Sequence, residues 1–289
     1  MRICRPAFSL LDLIVVLALV GVLTLLTLTA VVRVRESANR TTCVNNLRQL
    51  ALAVHSYHDG NNALPPYASL TPQYPVFGGW WIYLLPYVEE KALYEKIAHP
   101  HVVTTAGGGS ILIPPVQQLG IRDVFFQLLT CRSDPSQPGP HTGTSNYLAN
   151  WYVFGNGVHG CVGPARDFRD IPDGLSNTVL FAEGYADCNR VVRPALTVCG
   201  SHNFGITPRD LPSDDPSYLP TDYTMFQVRP PLHVPRPIGC DCWRTQTAHD
   251  SMPVALVDGS ARFIQPGISP TLWKELLKPA DGKPDGGMW

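Results

Sequence analysis

The first part of the chain contains a long apolar stretch that carries no charge. Residues 13–32 are twenty consecutive positions without Asp, Glu, Lys or Arg, and most of them are Leu, Val, Ile, Ala or Thr. A helix of about 20 apolar residues crosses the ~30 Å hydrocarbon core of a bilayer. A cleaved secretory signal has a shorter apolar region of roughly 7–15 residues and a small-residue cleavage site, which does not follow this run. The pattern therefore predicts one transmembrane helix over residues 8–32.

Beyond residue 32 the apolar positions become one-sided. Apolar side chains recur at intervals of three and four, with Arg, Asn and Gln between them, at Leu47, Leu50, Ala51, Val54 and Tyr57. This spacing is typical of an amphipathic helix that packs one face against a domain. Asp59 and Gly60, followed by Asn and Pro residues, are stop signals. We expect residues 33–59 to continue the first helix as an amphipathic spine, with a kink near residues 33–36 as the alternative.

The remaining residues, 60–289, have the composition of a globular domain with long loops. The chain contains 28 Pro and 24 Gly, and they cluster in residues 60–80, 107–115, 133–145 and 205–239. Hydrophobic residues make up 45% of the chain, which is enough to form a core. We therefore predict an α+β fold in which a long N-terminal helix packs on an antiparallel sheet with long Pro/Gly-rich loops.

Two local signals near the end of the chain support this prediction. Two β-prone runs flank Asp258 and Gly259, which predicts a hairpin over residues 254–264 with a two-residue type I′ turn. A ligand role for Asp258 is the alternative to this turn. Further on, Ser269 and Pro270 are a good cap and first-turn pair for a final helix that runs through Trp273 to Leu277.

The low charge and the absence of common enzyme motifs argue against several classes of function. The net charge is -1 and only 16% of the residues are charged, so no basic surface for nucleic acid is expected. The sequence lacks a nucleophile elbow, a zinc-binding His-Glu-x-x-His motif, a phosphate-binding glycine loop and an EF-hand calcium loop. We therefore predict a protein that is not an enzyme, with no catalytic residues and no cofactor.

Seven of the eight cysteines follow the apolar segment, which suits an oxidising compartment. Two disulfides are proposed from the sequence: Cys188 with Cys199, closing a short loop, and Cys43 with Cys131, tying the spine helix to the domain. The alternative is a metal site of two sulfurs and two nitrogens, formed by His233, Cys240, Cys242 and His249. Its spacing matches no standard zinc finger, and disulfides are favoured, so we expect no metal.

The residues at the head of the apolar run resemble a known processing motif. Residues 7–16, Ala-Phe-Ser-Leu-Leu-Asp-Leu-Ile-Val-Val, are similar to the type IV prepilin cleavage and methylation motif. The resemblance implies a leader of residues 1–7, cleavage after Ala7 by a prepilin peptidase, and methylation of Phe8. Asp12 stands where prepilins carry a glutamate, and Ala7 where they carry glycine. The alternative is an ordinary signal anchor with an incidental acidic residue.

Further segments resemble the DUF1559 family of prepilin-like proteins, in order along nearly the whole chain. The similar segments include Cys-Val-Asn-Asn-Leu-Arg-Gln-Leu at residues 43–50, Cys-Arg-Ser-Asp at 131–134 and Asp-Gly-Leu-Ser-Asn-Thr at 173–178. A His and an Asp-Gly pair near the end are similar to the family's His-x9-Asp-Gly motif, with eight intervening residues here instead of nine. The residues that carry the motifs are Cys43, Asn46, Cys131, Asp134, Asp173, Gly174, Glu183, His249, Asp258 and Gly259.

These resemblances imply a pilin-like fold and a structural function. We expect a pseudopilin-like subunit with one membrane span, a cytoplasmic N-terminus, and residues 60–289 in the periplasm or at the cell surface. Its partners would be the membrane, the prepilin peptidase, and copies of itself or other pilin-like subunits. A monomeric membrane-anchored binding domain is the alternative, and an anchored hydrolase is a third class.

Overall fold

The computed structural model of this chain describes most of the sequence in separate stretches. They are residues 10–69, 78–97, 101–104, 110–113, 124–137, 143–154, 166–196, 205–206, 225–235, 238–242, 244–280 and 282. The chain divides into two compact units, Met1–Thr41 and Thr42–Trp289. The predicted processing residues Ala7 and Phe8, and also Cys199, lie outside the described residues.

A single helix accounts for the described part of the first unit and continues into the second. Helix α1 covers Leu10–Asn61 without a break at residues 33–36, so the long N-terminal helix predicted from the sequence is confirmed. In the part of the chain that the structure describes, α1 alone is long and apolar enough to cross a bilayer. The large apolar side chains of α1 that the structure describes up to residue 34 are exposed, and Asp12 lies in the first turn.

Within the second unit, α1 buries the face that the spacing predicted. Leu47, Leu50, Ala51 and Val54 are all inaccessible to solvent, and Tyr57 packs against the same core. These positions share one side of the helix because side chains three and four residues apart lie above one another. The amphipathic pattern therefore gives the correct buried face.

The other elements of the second unit are short. Four further helices are described, namely α2 Trp80–Leu84, α3 Lys91–Ile97, α4 Trp151–Phe154 and α5 Pro270–Leu277. The strands are β1 Ala68–Ser69, β2 Gly78–Gly79, β3 His101–Thr104, β4 Ser110–Ile113, β5 Tyr147–Asn150, β6 Val179–Glu183, β7 Asp187–Cys188, β8 Val191–Val192, β9 Gly205–Ile206, β10 Gln227–Val228, β11 Gln246–Thr247, β12 Met252–Leu256 and β13 Ala261–Ile264. Most of the strands pair only in two-stranded ribbons.

The main sheet has five strands in the order β13-β12-β6-β5-β9. All of its pairs are antiparallel except β5 with the edge strand β9, which is parallel. The predicted α+β architecture with an antiparallel sheet is confirmed. The hairpin of β12 and β13 forms one edge of this sheet, as expected from the sequence around residues 254–264.

Both faces of the main sheet are covered by apolar side chains. One face, including Phe181 and Ala255, belongs to the core that contains the buried side of α1. The opposite face, including Ala182 and Val254, packs against Trp273 and its neighbours in α5. This division follows from the strand period of two, which sends consecutive side chains to opposite faces.

Two predictions about the end of the chain have different outcomes. Helix α5 begins at Pro270, and the Ser269 side chain accepts a hydrogen bond from the Leu272 N–H (3.1 Å), so the predicted cap is confirmed. The predicted type I′ turn is wrong, because only Gly259 has positive φ (+86°) and Asp258 does not. Asp258 Oδ1 instead accepts hydrogen bonds from the backbone and side chain of Ser260 (2.8 and 2.6 Å), which holds a longer loop.

Candidate functional site

Four potential metal ligands from distant parts of the sequence meet in the interior of the second unit. Each offers one donor atom, and these atoms lie within 4.8 Å of one another. None of the four residues is more than 1% exposed. They are Cys43, Cys131, Glu183 and His249, which we call the buried cluster.

Regular elements place two members of the buried cluster. Cys43 lies on α1 one turn before Leu47, and therefore on the same buried face of the helix. Glu183 is the last residue of β6, two positions after Phe181, so the alternation of the strand turns both side chains towards the face that α1 covers. A helix and a strand thus bring a sulfur and a carboxylate to one point.

Loops held by hydrogen bonds place the other two members. Cys131 follows a short 3-10 turn at Gln127–Leu129, and its backbone N–H donates to Asn146 Oδ1 at 2.9 Å. His249 lies between β11 and β12, and its backbone N–H donates to Thr247 Oγ1 at 3.1 Å. Side chains immediately before β5 and in β11 therefore hold the two ligand-bearing loops.

The distances between the donor atoms are short. The Cys43 and Cys131 sulfurs are 2.8 Å apart, and both residues are thiols with no covalent bond between them. His249 Nε2 lies 3.6 Å from Cys131 Sγ and 3.6 Å from Glu183 Oε1. The predicted approach of Cys43 to Cys131 is therefore present as a contact of two thiols that also includes a histidine and a carboxylate.

The two oxygens of Glu183 differ in their surroundings. Oε2 accepts a hydrogen bond from Thr247 Oγ1 at 2.5 Å. Oε1, which faces His249, is buried and makes no hydrogen bond to any residue that the structure describes. A buried oxygen without a hydrogen-bond donor costs free energy unless another positive group compensates it.

The two thiols influence each other's ionisation. A hydrogen bond with Cys131 lowers the pKa of Cys43 to about 7, although burial opposes the shift. The same contact, together with burial, raises the pKa of Cys131. The ionisation of each thiol therefore depends on the other.

A polar network surrounds the loop of Cys131. Asn146 Nδ2 donates to Asp134 Oδ2 (2.6 Å) and to the Gly184 carbonyl (2.9 Å), while its Oδ1 receives the Cys131 N–H. Asp134 also accepts from the Ala186 N–H at 2.8 Å. Although these hydrogen bonds favour the carboxylate, burial raises the pKa of Asp134. One asparagine thus connects the Cys131 loop with the residues that follow Glu183.

The motif residue Asn46 supports the opposite side of the buried cluster. Its Nδ2 donates to the Tyr147 hydroxyl (3.2 Å) and to the Thr130 carbonyl (3.3 Å). The Tyr147 hydroxyl in turn donates to the Cys43 carbonyl at 3.4 Å, and burial raises the pKa of this tyrosine. Asn46 therefore connects α1 with the residue that precedes Cys131.

The disulfide predicted between Cys188 and Cys199 is wrong, and the alternative zinc site considered for the last cysteines does not form. Cys188 is bonded to Cys240 and not to Cys199, because the hairpin of β7 and β8 places Cys188 with its Cα 5.5 Å from that of Cys240. The alternative zinc site with Cys242 fails for the same reason, since the bonded Cys240 has no thiol to offer. His233 is exposed, whereas His249 belongs to the buried cluster.

The remaining motif residues support turns. Gly174 has a φ of +102°, a conformation that glycine tolerates, and the preceding Asp173 accepts the Gly282 N–H at 3.1 Å. Asp258 and Gly259 form the loop between β12 and β13. These four residues do not belong to the buried cluster.

Sequence reasoning named every member of the buried cluster without grouping them. Each appears among the motif residues, but consecutive members are separated by between 52 and 88 positions and form no compact ligand motif. The available signal was chemical: the motif blocks contain two cysteines, a histidine and a glutamate, a combination suited to a metal. Only the structure shows that these four residues lie together.

The fold and the buried cluster define an α+β domain that follows an apolar N-terminal helix. Residues 33–196 match the family described as "Protein of unknown function (DUF1559)", which covers more than half of the chain. The chain therefore belongs to the DUF1559 family, as its motifs predicted. No curated protein and no solved structure matches it.

Proposed function

We propose that this chain is a non-enzymatic, pseudopilin-like subunit that is anchored in a membrane by the first part of α1. The observation that supports this proposal most directly is the change of environment along one helix. The large apolar side chains that are described between residues 10 and 34 are exposed, whereas Leu47 and Leu50 are completely buried. An apolar helix of this length can anchor a chain in a bilayer.

The prepilin-like motif refines the proposal. Asp12 lies in the first turn of α1, where a carboxylate is costly in the middle of a bilayer and is therefore usually retained for a purpose. As a register element, it would pair with the positively charged N-terminus of a neighbouring subunit after cleavage. The N-terminus is then expected to lie in the cytoplasm, and the second unit is expected to lie in the periplasm or at the cell surface.

Mass spectrometry of the full chain from native membranes tests the processing step. The expected product lacks residues 1–7 and carries a methyl group on Phe8. A chain that retains Met1 would contradict prepilin processing and would favour the monomeric anchored domain.

Site-specific photocrosslinking tests assembly. A photoreactive residue at Val16, which is exposed in the apolar part of α1, should form adducts with the same chain or with other pilin-like proteins. Ile238, which is exposed and apolar in the second unit, provides the matched control position. Asp12→Asn should reduce the adducts at Val16, and Asp12→Glu should retain them. A chain that never crosslinks at Val16 is not an assembly subunit.

A further inference from the structure

The buried cluster has no part in the proposed membrane assembly, yet it combines two sulfurs, a nitrogen and an oxygen at one point. Thiolate, imidazole and carboxylate are the ligands that zinc takes in proteins, and four protein ligands are typical of structural zinc sites. We propose that the four residues of the buried cluster bind one divalent transition-metal ion, for which zinc is the best match. This proposal does not depend on the pseudopilin role.

The separations of the donor atoms suit a tetrahedral ion. Metal distances of ~2.3 Å to sulfur and ~2.0–2.2 Å to nitrogen or oxygen give tetrahedral edges of roughly 3.3–3.8 Å. The edges from His249 Nε2 to Cys131 Sγ and to Glu183 Oε1 are both 3.6 Å. The two sulfurs, at 2.8 Å, would move apart by about 1 Å on binding, since their tetrahedral edge is ~3.7 Å.

Metal binding leaves the total charge of the buried cluster unchanged. Binding removes one proton from each thiol, so a dication replaces two protons and the buried cluster keeps the single negative charge of Glu183. The ion would also bind Glu183 Oε1, the buried oxygen that makes no hydrogen bond to the described residues. A mixed sulfur and nitrogen set with one carboxylate favours zinc over calcium or magnesium, which prefer oxygen ligands.

Groups around the buried cluster orient its ligands. Thr247 donates to Glu183 Oε2, which leaves Oε1 as the oxygen directed at His249. The same Thr247 oxygen accepts the backbone N–H of His249, and Asn146 fixes the backbone of Cys131. Metal sites in proteins depend on outer-shell hydrogen bonds of this kind, whose loss typically reduces affinity about 10- to 100-fold.

The ion would act as a clamp within the second unit. It would join α1 through Cys43 to strand β6 through Glu183, and it would fix the loops of Cys131 and His249 to both. These elements are far apart in sequence, so the ion would link them in addition to the apolar contacts of the core. A disulfide between Cys43 and Cys131 is the competing state, because it consumes both sulfurs and leaves Glu183 and His249 without a metal.

Metal analysis of the full chain in mild detergent tests the proposal. The protein is purified from membranes without chelator, and its metal content is measured by mass spectrometry. It is then stripped under mild reduction and reloaded with Zn²⁺ or Co²⁺. We expect about one ion per chain after loading, since four ligands make one tetrahedral site. The Co²⁺ form should show thiolate-to-cobalt charge-transfer absorption.

Ligand variants separate binding at the buried cluster from binding elsewhere. Glu183→Gln is nearly isosteric and should weaken Zn²⁺ at least ~100-fold, the upper end for outer-shell changes. Cys43→Ser should remove the thiolate-to-cobalt absorption. Cys242→Ser removes a half-buried thiol outside the buried cluster and should leave affinity and spectrum unchanged. The Cys188–Cys240 disulfide, mapped by peptide mass, confirms that each variant is folded.

Three results would overturn the proposal. The first is a reduced, folded protein that takes up less than a tenth of an ion per chain from Zn²⁺ or Co²⁺. The second is binding that is unaffected by both Glu183→Gln and Cys43→Ser. The third is a Cys43–Cys131 disulfide, without metal, in protein taken directly from native membranes.

Discussion

The second unit contains two cysteine pairs whose surroundings are very different. Cys188 and Cys240 form a disulfide in a small cluster with the buried Tyr185 and the partly buried Leu232. Cys43 and Cys131 are thiols in contact, with the donor atoms of a histidine and a glutamate within 4.8 Å. Both pairs are buried and both connect distant segments, so burial does not distinguish them.

The two pairs differ in what their sulfurs can still bind. Cys188 and Cys240 already share a covalent bond, so they have no thiol to offer an ion. Cys43 and Cys131 keep their thiols and lie beside an imidazole and a carboxylate, so they can serve as half of a metal site. In this domain one pair is a fixed link, and the other is the part of the structure that we expect to respond to metal.

The largest expected effect comes from removing the covalent link. Cys188→Ser combined with Cys240→Ser opens a bond between residues 52 positions apart. Closing a loop of that length is worth about 4 kcal/mol in the chain-entropy model. Urea unfolding in detergent should show this loss by tryptophan fluorescence, since Trp80, Trp81 and Trp273 are buried.

The same double variant also tests the independence of the two pairs. Its Zn²⁺ stoichiometry and affinity should equal those of the parent chain at a urea concentration where both are folded. If removal of the disulfide also abolished metal binding, the two pairs would form one cooperative structure, and the comparison between them would fail.

The next largest effect is expected from the metal. At free Zn²⁺ 100 times the dissociation constant, binding adds about 2.7 kcal/mol to the free energy of unfolding. Chelation should therefore lower the urea midpoint of the parent chain and of Cys242→Ser by the same amount. Cys43→Ser should be insensitive to chelator, and a chelator effect of equal size in that variant would contradict a site at the buried cluster.

A residue that positions the disulfide should have a smaller effect. Asn189, at φ +53°, donates to the carbonyls of Cys240 (2.5 Å) and Val234 (3.1 Å) and accepts the His233 N–H (3.0 Å). Asn189→Ala removes these hydrogen bonds and places alanine in the left-handed conformation, which together should cost about 2 kcal/mol. Refolding from the reduced state should also re-form the Cys188–Cys240 bond more slowly, measured by quenched peptide mapping.

Asn189→Asp is the matched variant for this prediction. It keeps the acceptor for His233 and tolerates the left-handed backbone, but it places a carboxylate oxygen against the carbonyls of Cys240 and Val234. Because these oxygens repel one another, a loss at least as large as that of Asn189→Ala is expected. Equal stability of Asn189→Ala and the parent chain would show that the loop is held by the disulfide alone.

Local signals in the sequence predicted the parts of the fold that depend on neighbours along the chain. The three-and-four spacing of Leu47, Leu50 and Val54 gave the buried face of α1, and Ser269 with Pro270 gave the start of α5. The turn at Asp258 was mistaken because an Asp-Gly pair suits several loops, and the side-chain hydrogen bonds to Ser260 favour a longer one here.

The cysteine partners could not be predicted, because they depend on contacts between distant segments. Cys188 was paired with Cys199 for its nearness in sequence, but the loop held by Asn189 brings Cys240 to it instead. The buried cluster likewise depends on the strand order β12-β6-β5 and on the packing of α1 over that sheet. The motifs named the residues of the candidate site, but only the topology of the fold shows that these residues lie together.

Thr247→Val provides the most selective test of the difference between the two pairs, with the smallest expected effect. The threonine is completely buried, and its hydroxyl both donates to Glu183 Oε2 and accepts the His249 N–H. Valine has the same shape, so the loss should be limited to these hydrogen bonds and cost about 1.5 kcal/mol. Zn²⁺ affinity should fall about 10-fold, because Glu183 and His249 lose their common support.

The control for this variant is Thr247→Ser, which keeps the hydroxyl and should restore metal affinity. The Cys188–Cys240 bond should form equally well in all three proteins, because the hydrogen bonds of the Thr247 hydroxyl are made to Glu183 and His249 of the buried cluster. A purely structural threonine would lower stability without changing Zn²⁺ affinity. Loss of affinity with valine and its recovery with serine would therefore assign Thr247 to the metal site, whereas equal affinity in all three proteins would exclude it.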